Sequence, residues 1–175
     1  MKNRFAVLGC LALALTASAA DAQRGSRPIE FGVDGGLTVA FDDPTVTLVS
    51  LPVQDFRVGF FMTDRVSIEP RFHLNSQSTD GGSFQEYHFE LGALFHPGGY
   101  RTGSGLYIRP FGGIVGFNSE ATDDSDGYLG AGIGIKLPFS DRRFATRLEA
   151  NFSHLFSEGD GSNRLGLLFG LSFFK

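Results

Sequence analysis

Ser153, His154 and Glu158 put a hydroxyl, an imidazole and a carboxylate into one short stretch of the chain. These are the groups of nucleophilic hydrolysis, but nearness in sequence is not a triad; nucleophile, base and orienter must meet in hydrogen-bonding geometry. Asp123-Asp124-Ser125-Asp126-Gly127 clusters carboxylates as a calcium loop does. It lacks that loop's spacing and distal glutamate, so it reads as a solvated acidic segment. Gly130, Gly132 and Gly134 resemble a phosphate loop only in composition, because they alternate along an extended segment and open no helix. They read as room for aromatic side chains from a neighbouring strand, Phe111 or Phe117. None of these groups is expected to be catalytic, and no cofactor or metal is expected.

A third group is more distinctive. Asp55, Arg57, Glu69, Arg71, Glu90, Arg109, Lys136, Arg147 and Glu149 are isolated ions inside otherwise apolar or glycine-rich segments. Those segments alternate with a period of two, the mark of strands. Ile29, Phe31, Val33, Leu37, Val39 and Phe41 share one face of the first strand, with Glu30, Asp34 and Thr38 on the other. A second strand near 53–61 sets Phe56, Val58 and Phe60 against Asp55 and Arg57. Further strands follow at 65–75, 84–95, 106–117, 128–137 and 144–154, and the chain ends in Arg164-Leu-Gly-Leu-Leu-Phe-Gly-Leu-Ser-Phe-Phe-Lys175. In the fifth strand Arg109 belongs on the polar face, which turns Leu106, Ile108 and Ile114 to the other side.

The amino-terminal segment is different. Lys2 and Arg4 precede an apolar run from Phe5 to Leu15, and two A-x-A sites follow at 17–19 and 20–22. That is the anatomy of a secretory signal peptide. The run is too short to span a bilayer as a helix, which takes roughly 20 residues. Cleavage after Ala22 divides the chain into a leader, 1–22, and one domain, 23–175. It removes Cys10, the only cysteine, and leaves no disulfide or thiol chemistry. The remaining domain is acidic, and without a basic footprint no nucleic-acid partner is expected.

Eight alternating strands joined in sequence make an up-and-down meander. Its polar face carries glycines and isolated ions, while its other face is Leu, Ile, Val and Phe. A small closed barrel with a polar interior and an apolar exterior suits a lipid bilayer. The connections sort by charge. Those after strands one, three, five and seven carry Asp42, Asp43, Asp80, Glu120, Asp123, Asp124, Asp126, Glu158 and Asp160 with no Lys or Arg, while the opposite set carries Arg65, Arg101, Arg142 and Arg143. Short turns are expected on the second side, after strands two and six, with a longer connection after strand four, 96–105; longer loops are expected on the first side.

The final strand adds a motif. Arg164-x-Gly166-x-x-Phe169-x-Leu171 resembles the closing-strand signature of the small OmpA/OmpX-type, opacity-like outer-membrane barrels, although the terminal Lys175 departs from their usual terminal Phe. The resemblance covers the whole domain. It implies an eight-stranded antiparallel transmembrane β-barrel exported to the bacterial outer membrane, with outer-membrane lipid and the barrel assembly machinery as partners. It also implies a structural or surface-interaction role, the acidic loops meeting an unknown extracellular partner. A narrow ion channel and a lipid-modifying enzyme are the alternatives. The His-x-Ser-Asn run of deacylase-like barrels is absent, since Leu155 and Phe156 follow His154.

Several local expectations follow. If Phe61 lies opposite Arg65, Arg57 faces Glu69 and Asp55 faces Arg71, both opposite-charge pairs. Pro70 and Pro110 fall within strands and call for bulges. Inward His73 and His88 are expected to pair with Glu69 or Glu90. Tyr87, Tyr100, Tyr107 and Tyr128, with Phe, are expected to form interfacial girdles, there being no Trp.

Overall fold

The computed structural model describes residues 28–41, 46–79, 82–99, 105–119, 123–139, 143–157 and 161–175. The leader at 1–22, Tyr100, Arg101, Arg142 and the acidic connections that hold Asp42, Asp43, Asp80, Glu120, Glu158 and Asp160 lie outside the described residues, as does the Phe117 side chain.

Eight strands run in chain order: β1 (Ile29–Ala40), β2 (Val46–Phe61), β3 (Val66–Thr79), β4 (Gly82–Phe95), β5 (Gly105–Ser119), β6 (Asp123–Pro138), β7 (Phe144–Phe156) and β8 (Ser162–Phe174). Each pairs antiparallel with the next, and β1 pairs with β8 from Glu30↔Phe174 to Ala40↔Arg164, so the sheet closes. Closure extends to the ends of the described chain, where Ile29 and Lys175 exchange backbone hydrogen bonds of 3.0 and 2.9 Å. A closed sheet leaves no edge to be satisfied, which is why strands cross a membrane only as barrels.

Alternation decides which way each residue points. The exposed large hydrophobics include Phe31, Phe56, Phe72, Leu91, Leu106, Ile133, Leu148, Leu165 and Phe169, one belt running across every strand. The buried set is dominated by ions. Arg109 is fully buried while Leu106, Ile108 and Ile114 are exposed, which fixes the phase of β5.

Apart from β1, the strands are longer than the alternation suggested, and all run from 12 to 16 residues, against about 9–11 needed to span a bilayer. The extra length lies at the end away from the termini. Asp123–Gly127, expected as a loop, belongs to β6, and Val46–Leu51 belongs to β2. Connections there are therefore shorter than expected, while the connection after β4, 96–104, is long, as its sequence suggested. Polar residues pair into a ladder as readily as apolar ones, because the ladder is made of backbone.

The prolines also correct an expectation. On β2–β3 the register runs from Arg57↔Arg71 to Phe60↔Ile68, and on β4–β5 from Gly92↔Phe111 to Phe95↔Ile108, unchanged past Pro70 and Pro110. Neither is bulged. Each keeps its partner on the other side, Leu91 for Pro70 and Ala131 for Pro110. The irregularity falls elsewhere, between Asp34↔Asp55 and Gly36↔Ser50, where residues 51–54 of β2, Pro52 among them, stand against Gly35 alone. A proline with no amide hydrogen fits where pairing already lapses.

Candidate functional site: the charged interior

The interior ions come from seven strands. β1 supplies Glu30 and Asp34, β2 Arg57, β3 Glu69 and Arg71, β4 Glu90, β5 Arg109, β6 Lys136, and β7 Arg147 and Glu149. All are buried, and among the described residues this central network sets five carboxylates against five cations. A barrel of eight strands has an interior just wide enough for side chains to fill, and here the filling is electrically balanced.

Three arginines are tightly held. Arg57 donates from Nε to Asp34 at 2.8 Å, from Nη1 to Glu30 at 2.5 Å and from Nη2 to Ser172 Oγ at 2.8 Å. Arg147 donates from Nε to Tyr107 Oη at 2.6 Å, from Nη1 to Glu69 at 2.7 Å and from Nη2 to Glu149 at 2.6 Å. Arg109 donates from Nη2 to Glu149 at 2.6 Å and from Nη1 to Glu90, and its guanidinium lies 4.2 Å from the Phe111 ring centre. Lys136 donates to Glu30 at 2.5 Å. Tyr107 joins the clusters, donating to Glu149 at 2.8 Å while accepting from Arg147. Charge-assisted bonds of this kind offset the desolvation of the ions.

Arg71 is different. Its nearest carboxylates, Asp34, Glu69 and Glu90, lie at 3.5, 3.6 and 3.7 Å, and its Nε and Nη2 are buried without a hydrogen bond. It is balanced in charge but not clamped.

Glycines make the room. A Cβ on Gly32 would land on the Arg57 guanidinium, one on Gly132 within 2.9 Å of Glu149 Oε1, and one on Gly134 on the Tyr107 ring. Gly130 faces Phe111 in the same way, as the sequence suggested.

The register corrects the expected pairs. Phe61 lies opposite Ser67, not Arg65, so Arg57 faces Arg71 and Asp55 faces His73. The turn is longer than Met62–Asp64: Met62 N bonds Val66 O, and Thr63 Oγ1 accepts from the amides of Arg65 and Val66. Arg57 still reaches Glu69, at 3.5 Å. Asp55 leaves the central network and bonds His73 Nδ1 at 3.0 Å, while His88 bonds Glu86 at 2.9 Å, so neither histidine takes Glu69 or Glu90. Tyr107 and Tyr128 are interior, the latter donating to Glu90 at 3.2 Å, and belong to no girdle.

Glu30, Asp34, Tyr107 and Ser172 are members that the reading of isolated ions missed. The inward phase of β1 already held the first two. Ser153 and His154 are adjacent on β7 and point to opposite faces, so they form no dyad; His154 bonds Asn163 at 2.9 Å and packs against Phe156. In β8, Gly166 faces the Asn151 side chain inside, and Phe169 and Leu171 face out.

A closed eight-strand antiparallel barrel with an ionic interior and an apolar exterior is the architecture of an outer-membrane β-barrel protein. Residues 10–173 match the outer membrane protein beta-barrel domain family, and the chain belongs to that family. The family places it in the bacterial outer membrane. Among solved structures, Neisserial surface protein A superposes with a TM-score of 0.53 at 10% identity, covering 85% of this chain and 99% of that one. The amino-terminal barrel of Pseudomonas aeruginosa OprF gives 0.51 at 18% identity, covering 86% and 100%. The attachment invasion locus protein Ail of Yersinia pestis gives 0.49 at 15%, covering 86% and 100%. For the first two, at these identities, the likeness is one of fold. No curated protein sequence matches.

Proposed function

We propose that this protein is a plugged, non-conducting outer-membrane barrel with a structural or surface-contact role. The supporting observation is the balanced interior, in which five carboxylates meet five cations and three arginines are clamped from several sides. An ion entering such a lumen must break paired buried charges, each loss costing about 3–5 kcal/mol. In this reading the leader is cleaved, the Arg164–Leu171 motif addresses the chain to the barrel assembly machinery, and the acidic end meets an extracellular partner. The enzymatic alternative has little to stand on at Ser153 and His154, which diverge.

The narrow-channel reading draws on Arg71, whose Nε and Nη2 are buried without a hydrogen bond and whose nearest carboxylates stand 3.5–3.7 Å away. Reconstitution of the folded protein in planar bilayers decides between the two. Silence at all voltages is expected. Steady, salt-dependent conductance that changes in Arg71→Gln would establish the channel instead.

A further inference from the structure

Beyond the plug, toward the end away from the termini, His73 and His88 are Cα partners across β3 and β4 and both face the interior. Their ring centres lie 5.1 Å apart with the planes at 48°. Each ring is steadied by a carboxylate through one nitrogen: His73 Nδ1 by Asp55 at 3.0 Å and His88 Nε2 by Glu86 at 2.9 Å. Among the described residues no partner meets the other nitrogens, Nε2 of His73 and Nδ1 of His88. Carboxylate–imidazole pairs oriented like this are how proteins prepare histidines for metal, the carboxylate setting the tautomer and raising ligand basicity.

We propose that His73 and His88 together bind one divalent transition-metal ion of the zinc and copper class inside the barrel, beyond the charged network. Metal–imidazole bonds run to about 2.0–2.1 Å, so two nitrogens sharing one ion stand about 3–4 Å apart. The 5.1 Å between the ring centres places the two imidazoles side by side at that scale. No three ligand-type side chains among the described residues converge on one point. In this site the two imidazoles supply two nitrogens, water completes the shell, and Asp55 and Glu86 stay outside it as orienting groups. His88 is 32% exposed, which gives an ion from the medium a way in. Imidazole ligands select zinc or copper over calcium or magnesium, which prefer oxygen. The site joins β3 to β4 above Arg71 and Glu90, so a bound ion also caps the plug. It does not depend on whether the barrel conducts.

The test uses the folded protein in detergent micelles, titrated with Zn²⁺ by calorimetry and with Cu²⁺ by electron paramagnetic resonance. One ion per barrel is expected, with nitrogen hyperfine structure from two imidazoles. His73→Gln and His88→Gln should each abolish stoichiometric binding. Asp55→Asn, which keeps both ligands, should weaken it about 10–100-fold. His154→Ala should leave it unchanged. A heat-dependent gel shift in every variant verifies that the barrel has formed. Absence of stoichiometric binding, persistence of binding in His88→Gln, or equal displacement of the ion by Ca²⁺ overturns the proposal.

Discussion

Arg57 and Arg71 face each other as Cα partners across β2 and β3, two cations side by side inside the barrel. Asp34, reaching across from β1, sits 2.8 Å from the first and 3.5 Å from the second. The like-charge pair is tolerated because a third strand supplies the counter-charge.

Asp34→Asn should therefore destabilise the barrel by about 3–5 kcal/mol, the cost of leaving a buried partner unpaired. Urea unfolding in lipid vesicles measures it. Adding Arg71→Met to that variant should restore part of the loss, since it removes the surplus charge; a strictly additive double variant would show that the two residues do not share Asp34.

Tyr107 donates to Glu149 and accepts from Arg147. Tyr107→Phe keeps the ring and strands the Arg147 Nε–H. A loss of about 1–3 kcal/mol is expected, the cost of one buried unsatisfied donor, with the heat-dependent gel shift retained. No change in the unfolding midpoint would mean that water replaces the hydroxyl at no cost.

Gly134→Ala and Gly98→Ala should separate sharply. At Gly134 the new Cβ meets the Tyr107 ring and lies 2.7 Å from the Leu148 carbonyl, whereas at Gly98 nothing lies within 4 Å. Overpacking of this kind costs about 1–3 kcal/mol. Comparable folding yields for the two variants would contradict the packing described for β5, β6 and β7.

Leu167, at the middle of β8, is 59% exposed. If that face meets lipid, Leu167→Arg costs about 2–4 kcal/mol near the bilayer midplane. Unfolding from vesicles reads it directly. An arginine accepted there without loss would mean the face meets water.

His96 follows β4, and its ring lies between Phe61 and Tyr107, with Nε2 3.3 Å from Ser67 Oγ. Burial, then the nearby Lys136 ammonium, pushes its imidazole down to about 4 from 6.5. The unfolded chain takes up a proton below pH 6.5 while the folded barrel resists it until near pH 4. Its stabilising contribution is thus whole above pH 6.5 and declines as the pH falls toward 4. The unfolding midpoint of the wild type should fall further between pH 7 and 5 than that of His96→Gln; equal falls would remove His96 from the account.

Much of this protein is legible in one dimension. The period of two assigns each side chain to a face, and the chemistry of the two faces shows which one meets lipid; Arg109 alone settles the phase of β5. Local pattern is enough because a strand's side chains must alternate, whatever its neighbours do. Which ions meet is a different matter. Arg57 faces Arg71 rather than Glu69 because the Met62–Arg65 turn sets the register, and a shift in turn length moves every cross-strand pair. Glu30 joins Lys136 and Arg147 joins Glu69 only because the sheet closes and brings distant strands across a narrow lumen, whereas His73 meets His88 through the β3–β4 register. Alternation carries the inward direction of each group, and only closure decides its partner.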